Sequence, residues 1–224
     1  MKPPDSNVER RVVPLLLVLT GVSGLVDASS YLGLGHVFVA NMTGNVVFVG
    51  FALAGATNLS LPSSAAAIAS FLVGALAAGR LEARLKRGHL SLLRIVTTAE
   101  AVMVLLAIAI GLASPPSTAM ANYAVVALLA AGMGVQSATT TRLAIPGFNS
   151  TVVLTTMLST LAAQSRWAGG ASAYNGRRVL AIASMFGGGL VGAALTLRTL
   201  WLAPLLLVAL LLAVVWAASG GDSN

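Results

Sequence analysis

The sequence predicts an all-α, polytopic integral membrane protein with about six transmembrane helices and two re-entrant or broken segments. Hydrophobic residues make up 57% of its 224 residues and charged residues only 8%, whereas a soluble domain carries about 25% charged residues. So few charges cannot cover a protein surface that faces water. The apolar segments also lack the alternating pattern of barrel strands, which leaves helices as the spanning elements.

Eight apolar segments follow one another along the chain. A helix needs about 20 apolar residues to cross the hydrocarbon layer. Lys2, Arg10 and Arg11 precede the first segment, as in a signal peptide, but seven further segments favour an uncleaved first span. The segments fall at residues 12–34, 37–57, 64–83, 94–113, 121–141, 150–164, 178–197 and 200–217.

The positions of Lys and Arg decide how many segments cross. If all eight crossed, the thirteen basic residues would divide almost evenly between the two faces. If segments 37–57 and 145–164 instead enter and leave on the same side, every basic residue except Arg198 lies on one face. Because cytoplasmic loops carry the excess of Lys and Arg, this arrangement is favoured, with both termini cytoplasmic.

The chain also carries an internal similarity. Residues 67–81 (AIASFLVGALAAGRL) and 181–195 (AIASMFGGGLVGAAL) are identical at seven of fifteen positions. We interpret one membrane domain, 1–224, as two inverted repeats, about 12–113 and 121–217, with Asp27 corresponding to about Gln136. Small residues four apart in each copy predict close helix packing: Ser70, Gly74, Ala78, Ser184, Gly188 and Gly192.

Asp27 and Glu100 are the acidic residues that fall inside apolar segments. An aspartate at a helix centre costs about 2.5–3.5 kcal/mol on the insertion scale, so a functional role is the default for Asp27. The alternative is that Asp27 hydrogen-bonds an unwound backbone nearby. Glu100 lies close to the basic loop, which also holds Glu82, so Glu100 is expected to snorkel or to pair with Arg94.

Polar and small residues interrupt two of the segments. Residues 33–36 (GLGH) predict a turn after the first helix. Asn41, Thr43, Gly44 and Asn45 follow, and a helix break at Gly44 would create a half-helix N-terminus suited to an anion or carboxylate. The second half offers a break at residues 146–147 (PG), followed by polar side chains. The polar side chains of the second half are those of Asn149, Thr151 and Thr155. Alternatively, the polar residues of both segments serve only to hold helices together.

These positions resemble the signature of the YoaK-like bacterial membrane proteins, named as domain of unknown function 1275. The resemblance covers nearly the whole chain and implies a polytopic protein of the bacterial inner membrane, without implying a particular activity. It rests in the first half on Gly24, Asp27, Ala28, Tyr31, Phe38, Asn41, Thr43, Gly44 and Asn45, and in the second on Gln136, Arg142, Thr151 and Thr155.

The sequence therefore predicts a small-molecule secondary transporter or permease in which Asp27 is a protonatable or ion-binding group. The alternative is a non-transporting structural or partner-binding membrane protein. With no cysteine, two histidines and no nucleophile–base–carboxylate set, we expect neither an enzyme nor a metal or cofactor. The expected partners are the lipid bilayer and a small polar or anionic solute. Association into a homo-oligomer is compatible with the sequence, and no binding to nucleic acid is expected. The pathway residues would be Asp27, Tyr31, Asn41, Thr43, Gly44, Asn45, Gln136, Asn149, Thr151 and Thr155.

Overall fold

In the computed structural model, the described residues form helices and turns, and no strand is found among them. They are residues 6–56, 59–85, 88–114, 119–143, 145, 154–164 and 175–220. This confirms the all-α membrane fold. The helices are α1 (Ser6–Gly33), α2 (Met42–Leu53), α3 (Leu61–Leu85), α4 (His89–Ala113), α5 (Ala119–Leu143), α6 (Leu154–Ala163), α7 (Asn175–Arg198) and α8 (Ala203–Ala218).

The helices fall into two classes by length. Five described helices, α1, α3, α4, α5 and α7, are long and apolar enough to cross a membrane. The 16 residues of α8 extend about 24 Å, close to a full crossing. The 12 residues of α2 and 10 residues of α6 extend only about 18 and 15 Å, short of the roughly 30 Å hydrocarbon layer. The two segments predicted to be broken therefore hold the two shortest described helices.

Helix α1 lies along α7, and the two run in the same direction. Near their N-termini Arg177 and Glu9 form an ion pair. Midway, a Cβ added at Gly24 would overlap the backbone of Met185 on α7. Beyond the C-terminus of α7, Trp201 packs against Gly33. Residues later in α1 therefore contact residues later in α7, as expected for parallel helices.

Helix α3 lies along α5 in the same parallel manner. A Cβ at Gly74 would overlap the carbonyl of Ala131. Near the C-termini of both helices, the Thr139 hydroxyl donates a hydrogen bond to Glu82, and the Arg142 Nε lies 3.7 Å from the other Glu82 carboxylate oxygen. Glu82 therefore lies in α3 and is buried, at 4% exposure, which corrects its expected place in the basic loop.

The remaining long helices fix which ends of the bundle coincide. The guanidinium of Arg94 lies 4.3 Å from the centre of the Trp216 ring, which places the C-terminus of α8 beside the N-terminus of α4. Gly111 near the other end of α4 meets Trp201 and Leu202, just before α8. Helix α8 therefore runs antiparallel to both α1 and α4. The core lies where α1, α4, α5 and α8 meet, around Leu19, Leu93 and Leu212.

One end of the bundle, here called the basic end, holds the N-termini of α1, α4 and α7 and the C-termini of α3, α5 and α8. The opposite end is called the distal end. Of the nine basic residues within the described ranges, eight lie toward the basic end, and the ninth, Arg198, ends α7 at the distal end. The segment with α2 starts and finishes at the distal end, and the segment with α6 at the basic end. Helix contacts and charges thus agree on two re-entrant segments.

The two ends predict opposite labelling of single cysteines. Ala56→Cys and Gly88→Cys place thiols at exposed positions of the distal and basic ends. We expect a maleimide that cannot cross membranes to label them from opposite sides of sealed vesicles. The otherwise cysteine-free chain is the unlabelled control. Labelling of both thiols from the same side would refute the assignment of the ends.

Adjacent glycines of α7 test the close approach to α1. A Cβ at Gly188 would overlap the carbonyl oxygen of Gly21, whereas a Cβ at Gly187 meets nothing within 4 Å. We expect Gly188→Ala to lower the melting temperature of the detergent-solubilised protein, because forced overpacking costs about 1–3 kcal/mol. The matched Gly187→Ala should be neutral or gain up to about 1 kcal/mol of stability from helix propensity. Equal melting temperatures for the two variants would contradict the packing.

Candidate functional site

The site begins where α1 stops. Gly35 has a positive φ of 94°, and the His36 N–H donates to the carbonyl of Tyr31 at 3.1 Å. This is the Schellman arrangement, in which a glycine after the helix reverses the chain. His36 also has a positive φ, 58°, and stays exposed. The turn predicted at residues 33–36 is therefore present, and it sends the chain back alongside α1.

The returning chain is held by Asp27. Its Oδ1 accepts hydrogen bonds from the backbone N–H groups of Val39 at 2.9 Å, Ala40 at 2.7 Å and, more weakly, Asn41 at 3.4 Å. Asp27 lies six residues, or about 9 Å, before the end of α1, so residues 37–41 descend into the bundle. Because α2 then begins at Met42, the break precedes the helix rather than falling at Gly44, where the sequence predicted it.

Asn45 holds the same stretch from the other side. Its Oδ1 accepts from the Phe38 N–H at 3.0 Å, and its Nδ2 donates to the Phe38 carbonyl at 2.6 Å. The buried Asn45 side chain thereby hydrogen-bonds both the backbone N–H and the backbone carbonyl of Phe38. Gly44 lies beneath the Phe38 ring, where a Cβ would come within 2.7 Å of a ring carbon. Asn45 and Gly44 therefore shape the loop rather than face the space beside it.

Aromatic rings cover the loop. Tyr31 stacks on Phe38 with ring centres 4.9 Å apart, and Phe48 of α2 joins them at 5.7 Å from Phe38. The edge of the His36 ring contacts Tyr31 at 5.1 Å. These contacts join the end of α1, the loop and α2 into one cluster, since aromatic pairs at such distances attract one another.

An open pocket of about 330 Å³, here called the cavity, lies between this cluster and α7. Its wall is formed by Asp27, Tyr31, Phe38 and Asn41 and by Met185 and Gly189 of α7, with Gly24, Ala28 and Leu32 completing it. All the hydrogen bonds that the Asp27 side chain accepts from the described residues go to Oδ1. Its second oxygen, Oδ2, is therefore left without a partner from the described residues, in a side chain that is only 6% exposed.

The predicted pathway residues divide among different places. Asp27, Tyr31 and Asn41 line the cavity, and Gly44 and Asn45 support its loop. Thr43 is exposed on the first turn of α2 and is not part of the wall. Asn149 and Thr151 lie outside the described residues, and Thr155 falls in α6, where the structure describes only its backbone.

Gln136 lies elsewhere, in a buried polar cluster between α1, α4 and α5. With Nε2 directed at Glu100, its amide donates to both carboxylate oxygens at 3.1 Å while its oxygen accepts from the Ser23 hydroxyl at 3.0 Å. The opposite orientation would turn the amide oxygen toward the carboxylate, so this orientation satisfies both groups. Gln136 therefore hydrogen-bonds Glu100 and is not part of the cavity wall.

Glu100 departs from its expected role at the membrane surface. It is 2% exposed and pairs with Gln136, while Arg94 packs on Trp216. The sequence contained a signal for this. At 100° per residue, Arg94 and Glu100 point about 120° apart around α4, too far apart for a pair on one helix face.

Asp27 can be tested by separating its charge from its role as an acceptor. Asp27→Ala leaves buried N–H groups at Val39 and Ala40 unpaired, at about 1–3 kcal/mol each. At roughly 2–4 °C per kcal/mol, we expect this loss of about 2–6 kcal/mol to lower the melting temperature by about 4–24 °C. Asp27→Asn keeps an oxygen acceptor and should stay near the parent value. If the alanine variant were as stable as the asparagine variant, the loop would not depend on this acceptor.

Comparison with known proteins confirms the resemblance seen in the sequence. The family described as "Protein of unknown function (DUF1275)" matches residues 15–218. The UPF0700 transmembrane protein YoaK of Bacillus subtilis (strain 168) is 32% identical over 151 residues, which are 66% of this chain and 64% of that protein. The match thus spans less than two thirds of the relative's length. No solved structure matches the chain. Because the family match runs from α1 through α8 and includes the Asp27 cavity, this protein belongs to the DUF1275 family of YoaK-like transmembrane proteins.

Proposed function

We propose that this protein is a small-solute secondary transporter or permease of the bacterial inner membrane, with both termini in the cytoplasm. The observation that carries the proposal is the cavity beside the re-entrant loop, in which one oxygen of the buried Asp27 carboxylate has no partner among the described residues. Charged groups at membrane depth usually serve a substrate or ion pathway. Broken helices beside such groups are typical of transporter sites.

The inverted repeat proposed from the sequence is part of this proposal. Gly74 and Gly188 occupy equivalent positions, 114 residues apart, and each meets a backbone carbonyl on its partner helix, of Ala131 and Gly21 respectively. These partners are themselves 110 residues apart, which pairs α1 with α5. The two copies run in opposite directions, because α1 starts at the basic end and α5 finishes there. This register pairs Asp27 with Ser137, one position beyond Gln136.

The helix pairs suggest which parts would move. The α1–α7 pair and the α3–α5 pair each combine one helix from each proposed repeat, and each is joined by glycine contacts along its length. Between the pairs lies the polar cluster of Ser23, Glu100 and Gln136. Rocking of one pair against the other, the motion expected of inverted-repeat transporters, would carry the α1–α7 pair and its cavity as one body.

The second re-entrant segment supports the same plan. Asn175 at the start of α7 donates to the carbonyl of Gln164 at 3.2 Å, so the chain after α6 lies beside the basic end of α7. Helices α2 and α6 therefore enter from opposite ends. The excess of Arg at the basic end supports a cytoplasmic position for that end, and the bacterial relative supports a bacterial membrane.

The second candidate is a non-transporting membrane module. The hydrogen bonds from Val39 and Ala40 to Asp27 favour it, because they give the carboxylate a structural task. In that case the cavity would remain open to one side only. Neither candidate assigns a catalytic step, a metal or a cofactor to these residues.

The accessibility of one cavity position separates the candidates without knowledge of the substrate. Ala28 lines the cavity, and Ala28→Cys would be the sole thiol of the chain. A transporter predicts labelling from both sides of oriented vesicles, with the rate on one side falling as the other rises when a pH gradient is imposed. Gly88→Cys, at the exposed basic end, is the one-sided control. Labelling of Ala28→Cys from a single side under every gradient would refute transport.

A further inference from the structure

We propose that the Asp27 cavity binds a small organic cation through an ammonium group. This rests on the proposed function only in treating the cavity as the solute site. Among the described residues of the cavity wall, Asp27 is the one acidic residue, and none of them is Lys, Arg or His. A buried carboxylate without a cationic neighbour strongly favours a positively charged ligand over an anion.

The N-terminus of α2 does not reverse this preference. Such an end ordinarily attracts anions through free N–H groups and the helix dipole. Here Asp27 Oδ1 binds the N–H groups of Val39 and Ala40, just before the N-cap Asn41, so the carboxylate charge already lies beside this helix end. The protein therefore supplies the anion of this site itself, and Oδ2 keeps hydrogen-bonding capacity for a donor in the cavity.

The rest of the wall suits an alkylated ammonium group. Tyr31 and Phe38, whose rings stack on each other, line the same space as Asp27. An organic cation within about 6 Å of an aromatic ring centre is attracted by the ring quadrupole. The Asn41 amide and the Tyr31 hydroxyl add hydrogen-bonding groups, while Met185 and Ala28 offer apolar contact. The volume, about 330 Å³, lies at the small end of ligand pockets.

A hard metal cation fits this wall less well. Calcium takes six to eight oxygen ligands, whereas one carboxylate, one amide and one phenol supply the polar side chains here. Across the described residues, no group of three or more His, Cys, Asp or Glu side chains is placed to hold a metal. Aromatic carbon surface is also of little use to a strongly hydrated ion.

Three compounds of similar shape and different charge provide the test: tert-butylammonium, tert-butanol and pivalate. Each is added to the purified protein in detergent at constant ionic strength, and the melting temperature and binding isotherm are measured. We expect the ammonium compound alone to bind and to raise the melting temperature, because a ligand of the folded state stabilises it. Sodium chloride at equal concentration measures any effect of an inorganic cation.

Variants locate the binding. Asp27→Asn should abolish the response to tert-butylammonium while keeping an acceptor for the loop. Tyr31→Leu should weaken binding by about 3–30-fold through loss of the ring, and Tyr31→Phe should retain most of it. Glu100→Gln is the matched control, because it removes another buried carboxylate that lies outside the cavity. It should leave binding unchanged.

The outcomes distinguish this inference from the proposed function. Binding of pivalate or tert-butanol, an equal response to sodium, no response to any compound, or unchanged binding by Asp27→Asn would each overturn the cation site. The labelling of Ala28→Cys would still decide transport in those cases. Conversely, tert-butylammonium binding that needs Asp27, together with one-sided labelling, would support the cation site and reject transport.

Discussion

The architecture depends on how the carboxylate of Asp27 satisfies backbone N–H groups within the bundle. In a bilayer, an unpaired backbone N–H costs several kcal/mol, so a chain that leaves its helix needs partners at once. Asp27 supplies one oxygen to Val39 and Ala40, and Asn45 pairs both polar groups of Phe38. These contacts allow residues 37–41 to turn inside the bundle and α2 to begin there.

The same arrangement gives the site its chemical character. A carboxylate held beside the start of α2 offsets the attraction of that helix end for anions. The remaining oxygen then sets the charge of the cavity. Structural and functional interpretations of Asp27 are therefore compatible, since one oxygen holds the loop and the other is available to a ligand.

Glycine contacts supply the second constraint. Lipid provides no hydrophobic drive between helices, so their association depends on close packing. Gly188 against Gly21 and Gly74 against Ala131 bring backbones together at matching places in two parallel pairs. The pairs keep the cavity wall from α1 and α7 in place, because Met185 and Gly189 of that wall lie on the same helix as Gly188.

The sequence was enough to predict the membrane class, the eight segments, the two re-entrant or broken ones among them and the gathering of the basic residues at one end. These features follow from composition and one-dimensional pattern, because lipid selects against charge along every crossing segment. It also singled out Asp27 and Asn45, since polar groups are costly in that solvent. The resemblance to a family rested on the same residues.

The partners of the buried polar groups, in contrast, became visible only in the packed helices. Glu100 pairs with Gln136 and Glu82 with Thr139, across helices far apart in sequence. Helix period alone cannot reveal which neighbour lies opposite a given face. In the structure the helix break lies before Met42, whereas the sequence predicted it at Gly44, and Thr43 lies outside the cavity wall. The physical reason is that hydrogen-bond partners inside a bundle are set by helix pairing, which the glycine contacts fix in three dimensions.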